Sequence, residues 1–142
     1  MLVDANILLY SVDADSSFHT SARDWLTAAL NGSRRVGIPW LSLVAFVRIA
    51  TNPRASRNPL TPADAWQYVE GWLDAPACWT PGPGRGHREI LGGLLVKHDV
   101  RAGLVTDAML VAMCIEHGLE MVSADTDFAR FTEIAWVNPV SR

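Results

Sequence analysis

Apolar and polar positions along the chain change period several times, and each change marks an element. Met1 to Val3 is a short apolar run leading straight into Asp4, with Asn6 and a second apolar stretch, Ile7 to Tyr10, beyond it. From Phe18 the spacing is helical, with Phe18, Ala22, Trp25, Leu26, Ala29 and Leu30 on one stripe. Ser16 or Ser17 is the expected cap of this helix and Asn31-Gly32 its end. Val36 to Ile38 reads as a second strand stopped by Pro39, and Trp40 to Thr51 as a helix closed by Asn52-Pro53. After the aperiodic Arg54 to Leu60, Thr61-Pro62-Ala63-Asp64 supplies a capping hydroxyl, a proline at the first helical position and an acid in the first turn. That helix reaches about Leu73, with Ala65, Trp66, Val69, Trp72 and Leu73 available for packing.

The second half continues the alternation. Cys78-Trp79 predicts a brief strand, Pro81 to Gly86 a connection without a phosphate-loop pattern, and His87 to His98 an amphipathic helix with Ile90, Leu91, Leu94 and Leu95 inward. Val105 to Ile115 is apolar at almost every position except Thr106 and Asp107, so the helix it predicts lies inside the fold, with Gly118 as C-cap. Leu119 to Ser123 reads as a strand, Thr126 to Phe131 as a short helix and Ile134 to Val137 as a last strand. Strands alternating with helices imply a short, mainly parallel sheet covered on both faces, an α/β protein of the three-layer α/β/α type. The helices between residues 40 and 73 have no strand between them and are expected to form a small clip or lid.

At 142 residues, 49% of them hydrophobic and 19% charged, the chain is read as one globular domain over residues 1–142. With no long uncharged apolar run, and Asp4 after only three residues, neither a secretory signal nor a membrane span is expected, which makes a cytoplasmic protein the default. Cys78 and Cys114 lack ligand spacing and read as reduced core thiols, a disulfide or zinc site being the alternative. None of His19, His87, His98 and His117 has metal-ligand spacing to another histidine. The net charge of −3 argues only weakly against a nucleic-acid ligand, because the charges are segregated. Between Asp24 and Asp64 there is no acid, while Arg34, Arg35, Arg48, Arg54 and Arg57 all lie there. From Asp107 to Glu133 six acids face only Arg130. Such segments either set phosphate-holding groups beside a metal-holding pocket or solvate unrelated faces.

Asp107 is the acid hardest to explain structurally, because a carboxylate on an otherwise apolar helix is penalised by desolvation unless something neutralises it. No Lys or Arg occurs between Arg101 and Arg130. Asp125 and Asp127 follow the end of a strand, and Asp4 follows the first strand, where ligands collect in parallel α/β sheets. Several carboxylates brought together without bases are what a hard divalent cation requires.

Leu2-Val3-Asp4-Ala5-Asn6, Asp107-Ala108 opening a late helix, Ser123-Ala124-Asp125-Thr126-Asp127-Phe128 after a strand, and Trp136-Val137-Asn138-Pro139 at the end together resemble the PIN domain. The likeness is closest to the VapC toxins of bacterial toxin–antitoxin pairs and spans essentially the whole chain. It implies a metal-dependent ribonuclease acting on tRNA or another structured RNA, with Mg²⁺ or Mn²⁺ as cofactor. It also implies a homodimer, held inactive by a VapB-like antitoxin in a heterotetramer or larger assembly. Asp4, Asp107, Asp125 and Asp127 carry over as catalytic and metal-holding residues, with Asn6 and Ser123 as supporting groups. Arg48, Arg54 and Arg57 are the candidates for gripping RNA phosphates.

The chain departs from the family pattern at Ala45, where many members place a Glu. Four aspartates suffice for one well-held cation and a second that binds weakly until substrate phosphate adds ligands. The alternative is a catalytically impaired PIN-like module that binds RNA or a partner without cleaving. An aspartyl-phosphate enzyme is disfavoured, since the only lysine, Lys97, is not at a strand end.

Overall fold

The computed structural model describes residues 1–141. Five two-residue strands form one parallel sheet: β1 (Leu2–Val3), β2 (Val36–Gly37), β3 (Cys78–Trp79), β4 (Met121–Val122) and β5 (Trp136–Val137), in spatial order β3-β2-β1-β4-β5. The helices are α1 (Ala5–Val12), α2 (His19–Leu30), α3 (Trp40–Ala50), α4 (Pro62–Asp74), α5 (His87–Lys97) and α6 (Leu104–His117), with a 3₁₀ turn at Thr126–Arg130. The result is the three-layer α/β/α arrangement that the alternation of patterns predicts.

Side chains alternate across a strand, and here that alternation splits the core in two. Val3, Val36 and Val122 face a cluster built with Ile7, Leu8, Leu26, Leu43, Phe46, Val69 and Trp72 from α1 to α4. Leu2 and Met121 face the opposite cluster, with Leu94, Ala108, Val111, Cys114 and Phe128 from α5, α6 and the 3₁₀ turn. Each residue of the three central strands β1, β2 and β4 is therefore buried, whereas the edge strands β3 and β5 are only partly covered.

Several local signals operate as their chemistry demands. The Thr61 hydroxyl accepts from the Asp64 N–H, with Pro62 at the start of α4. Gly118 takes the left-handed conformation that ends α6, at φ 67°. Gly37 is a close-approach position, since a Cβ there would stand 2.9 Å from Pro81 and 3.1 Å from the Met1 carbonyl. Burial pushes the Cys114 thiol up to about 12, and both cysteines are free.

Other expectations need correction. Neither serine caps α2, which begins at His19 with no side-chain cap bond; the Ser16 hydroxyl instead accepts from the N–H of Phe18, the residue just before the helix. Trp66 is not core but 44% exposed. The first turn of α6 emerges from the interior, with Val105 37% exposed and Thr106 also open, while Ala108 to Cys114 sinks between α5 and the sheet. The α3–α4 pair packs Leu43, Phe46, Ala65, Val69 and Trp72 into the same core as Val3, and only its outer surface stands free. No helix is long and apolar enough to cross a membrane among the described residues.

Candidate active site

Chain order reverses between β1 and β4: β2 and β3 continue to one side of β1, and the chain returns to lay β4 and β5 on the other. Both strands are parallel, so the loops leaving them open into the same crevice, the usual ligand site of such sheets. Asp4 leaves β1 and Ser123 to Asp127 leave β4. The sequence puts 119 positions between Asp4 and Ser123, yet the Ser123 hydroxyl donates to Asp4 Oδ2 at 2.7 Å.

Ser123 is the hub of this crevice. Fully buried, its hydroxyl accepts from Asn6 Nδ2 at 3.0 Å and from the Asp125 N–H at 3.0 Å while donating to Asp4. One donor and two acceptor sites are thus all engaged. Asn6 is equally committed: Nδ2 also donates to Asp4 Oδ2 at 3.3 Å, and Oδ1 accepts from the Ala124 N–H. Asp4 is the N-cap of α1, its Oδ1 accepting from the Ala5 N–H at 2.8 Å. Three donors converge on one carboxylate, so the network calls for Asp4 as an acceptor. Burial pushes its pKa up, an effect compounded by the Asp125 charge and opposed by the bonds from Ser123 and Ala5.

The other three aspartates meet directly. One oxygen from each of Asp107, Asp125 and Asp127 lies within 4.8 Å of the others. Asp107 stands in the first turn of α6, where the helix dipole favours negative charge. Asp125 caps the 3₁₀ turn, its Oδ1 accepting from the Asp127 N–H at 2.9 Å, which seats the two acids side by side. Asp107 and Asp125 are half-buried and Asp127 is exposed. Asp4 does not join this set of oxygens. It is tied to the cluster through Ser123, whose hydroxyl bonds both Asp4 and the Asp125 N–H, and its charge adds to the rise of the Asp107 pKa.

Burial first, then the charges of Asp4, Asp125 and Asp127, push the Asp107 carboxyl up to about 6, and Arg130 offsets this in part. The ordinary value is 3.8, so between roughly pH 4 and 6 the folded chain keeps a proton that the unfolded chain has lost. Stability from this group is therefore lost as pH rises through that window, and the deficit is complete above it. Metal-free protein is expected to melt at a lower temperature near pH 7 than near pH 5.5, and Asp107→Asn should flatten that difference. Calorimetry in chelator checks both.

The six acids of the segment sort into two groups. Glu116 accepts from the Gly84 and Gly86 N–H groups, Glu120 pairs with Arg34, and Glu133 binds His98 and lies near Lys97. The aspartates alone remain for the crevice, and none is in an ion pair among the described residues. The arginines divide as well: Arg34 goes to Glu120 and Arg35 lies 4.1 Å over the Trp79 ring. Arg48, Arg54 and Arg57 are exposed without an acidic partner among the described residues, Arg48 on α3 and the others in the loop after it. Sequence reasoning noted Arg130 but gave it no role, and it missed Ser42, a buried hydroxyl that donates to the Val3 carbonyl at 2.7 Å and holds α3 against the strand end beside Asp4. A polar residue on the apolar face of a helix was the available signal. Ala45 is partly exposed on α3 and brings no acid.

The family model for the PIN domain matches residues 1–134. The chain belongs to the PIN-domain family. Among curated relatives of this PIN domain, Ribonuclease VapC37 of Mycobacterium tuberculosis (strain ATCC 25618 / H37Rv) is 41% identical over 138 residues, 97% of this chain and 96% of the relative. Ribonuclease VapC33 of the same strain is 39% identical over 140 residues, covering 99% and 98%. VapBC2 from Rickettsia felis, solved bound to a promoter DNA fragment, superposes with a TM-score of 0.68 at 13% identity, covering 96% of each chain. VapBC-1 from nontypeable Haemophilus influenzae gives 0.68 at 13% identity, covering 99% and 98%. At those identities the structural likeness speaks for the fold.

Proposed function

We propose that this PIN domain is the toxin of a type II toxin–antitoxin pair and acts as a ribonuclease that hydrolyses phosphodiester bonds. The observation that carries the reading is the meeting of Asp107, Asp125 and Asp127 within 4.8 Å, with no base paired to any of them among the described residues. Ribonuclease relatives at up to 41% identity over nearly the whole chain support the reaction class. The impaired-module alternative is not favoured, because the acids cluster without a contribution from position 45.

The donor set fits a hard divalent cation such as Mg²⁺ or Mn²⁺: it is all oxygen, and the mutual repulsion that raises the Asp107 pKa is what a cation relieves. Asp107, Asp125 and Asp127 would hold the ion, with Asp4 beside them as a further ligand or a charge that tightens the site. When bound, such an ion supplies Lewis-acid polarisation of the phosphoryl group and makes water more acidic. The chain supplies the rest. Ser123 and Asn6 orient Asp4, and the Asp127 N–H orients Asp125. Arg48, Arg54 and Arg57 take backbone phosphates. For a single-stranded contact, Arg54→Ala is expected to weaken binding of all sequences alike and to flatten the slope of log affinity against log salt by about 0.7. An unchanged slope would remove Arg54 from the interface.

A VapB-like antitoxin is the proposed partner, and the likeness to the solved VapBC2 and VapBC-1 structures supports it. A groove of ≈ 360 Å³ between α1, α3 and the following loop, lined by Tyr10, Asp13, Asp15, Phe46 and Leu60, offers an apolar floor with an acidic rim. None of the four aspartates lines it, so a partner held there would sit apart from the acid cluster. The deciding experiment expresses the chain in a bacterium and maps new RNA 5′ ends, with Asp4→Asn as control. Discrete cuts that vanish in the variant support the reading; the same RNA ends from both chains would refute it.

A further inference from the structure

The tryptophans divide by environment. Trp72 is buried and Trp25, Trp79 and Trp136 partly so, but Trp40 and Trp66 are 47% and 44% exposed. Their rings stack, with centroids 6.2 Å apart and planes 19° apart. Trp66 Nε1 donates to Glu70 Oε1 at 2.9 Å, which holds that ring on the outside of α4. Two adjacent indoles kept in water forgo burial free energy of about 25 cal/mol for each Å² left exposed, so the pair calls for an occupant.

Its place in the fold names one. Trp40 opens α3 just beyond the carboxyl end of β2, the strand next to β1. The two residues after it touch the neighbours of the acids: Ser42 bonds the Val3 carbonyl beside Asp4, and Leu41 packs on the cluster that contains Ala108, beside Asp107. Trp40, Val44 and Arg48 form one exposed stripe of α3 at spacings of four, and Arg48 has no acidic partner among the described residues. Trp40 and Arg48 are thus two turns apart, roughly 12 Å along the axis. An aromatic pair at the start of a helix that Ser42 ties to the strand end before Asp4, with the Arg48 guanidinium farther along, suits a strand of alternating bases and phosphates. The acids repel a polyanion, so its binding energy has to come from outside them, and stacking is indifferent to charge.

We infer that the Trp40–Trp66 pair is a stacking platform for a base of single-stranded RNA, holding the strand so that a neighbouring phosphodiester reaches the aspartates while Arg48 takes a phosphate. This rests on the ribonuclease reading. Binding of a fluorescein-labelled single-stranded RNA of about 12 nucleotides, measured in chelator to block cleavage, tests it with wild type, Trp40→Ala, Trp66→Ala and Trp40→Phe, each confirmed folded by circular dichroism. Trp40→Ala is expected to bind about tenfold more weakly and Trp40→Phe within about threefold of wild type. In cleavage assays Trp40→Ala should raise KM and leave kcat near wild type. A wild-type chain that cleaves RNA while Trp40→Ala binds and cleaves equally well sinks the platform alone. A Trp40→Ala chain that falls from dimer to monomer by light scattering also overturns it, assigning the face to a second copy. A wild-type chain that neither binds nor cleaves RNA removes the ribonuclease reading itself.

Discussion

Replacing Asp107 with Asn is expected to lower RNA cleavage at least about a thousandfold, equivalent to roughly 4 kcal/mol of lost transition-state stabilisation, while making the metal-free protein more stable at neutral pH. The two effects share a cause. Asp107 is half-buried, its pKa raised by the charges of Asp4, Asp125 and Asp127, and Arg130 relieves it in part. Asn keeps the shape and removes the charge, so burial and repulsion no longer oppose folding. The same change removes one of three carboxylates that meet within 4.8 Å, which leaves too little charge to hold a divalent cation against water. Single-turnover cleavage in Mn²⁺ and thermal melting in chelator measure the two sides. A variant that cleaves within tenfold of wild type, or that melts lower than wild type near pH 7, would show that Asp107 is not held under electrostatic tension for a cation.

The second large effect belongs to Ser123. With Ala there, the Asn6 amide and the Asp125 N–H each lose an acceptor and Asp4 loses its shortest donor. Buried groups left unpaired cost about 1–3 kcal/mol each, so a loss of roughly 2–4 kcal/mol in unfolding free energy is expected. Because Ser123 ties the loop after β4 to Asp4, Mn²⁺ affinity should fall about 10–100-fold as well. Denaturant midpoints and metal titration separate the contributions. Lost stability with unchanged metal affinity would make Ser123 a strut of the fold with no part in the site.

How much of this was readable beforehand depended on element length and on distance along the chain. The helical stripe from Phe18 to Leu30, the Thr61-Pro62 start of α4 and the Gly118 stop of α6 carry their own signals, since period and capping are local properties. The segment after Asp4 did not announce itself. It is a helix of only eight residues, too few turns to display a period, and its start depends on a cap supplied by the same Asp4 that serves the crevice. Trp66 misled for a related reason: a helix face can be apolar in sequence and still look outward when its neighbour offers a second exposed ring instead of a core.

By itself the sequence determined the alternation of strands and helices, and hence a covered parallel sheet. It also placed an acid after each of two strands and one on an apolar helix without nearby bases. Those follow from side-chain chemistry and spacing within a few turns of chain. Only the tertiary structure decided which acids meet. Asp107, Asp125 and Asp127 share a point, while Asp4 is drawn to one side by Ser123 and Asn6. It also sent Glu116, Glu120 and Glu133 elsewhere and left Trp40 and Trp66 outside. The physical reason is that the order in which parallel strands sit side by side is settled by packing on both faces of the sheet. Setting β4 beside β1 brings together residues more than a hundred positions apart, a proximity that no local period encodes.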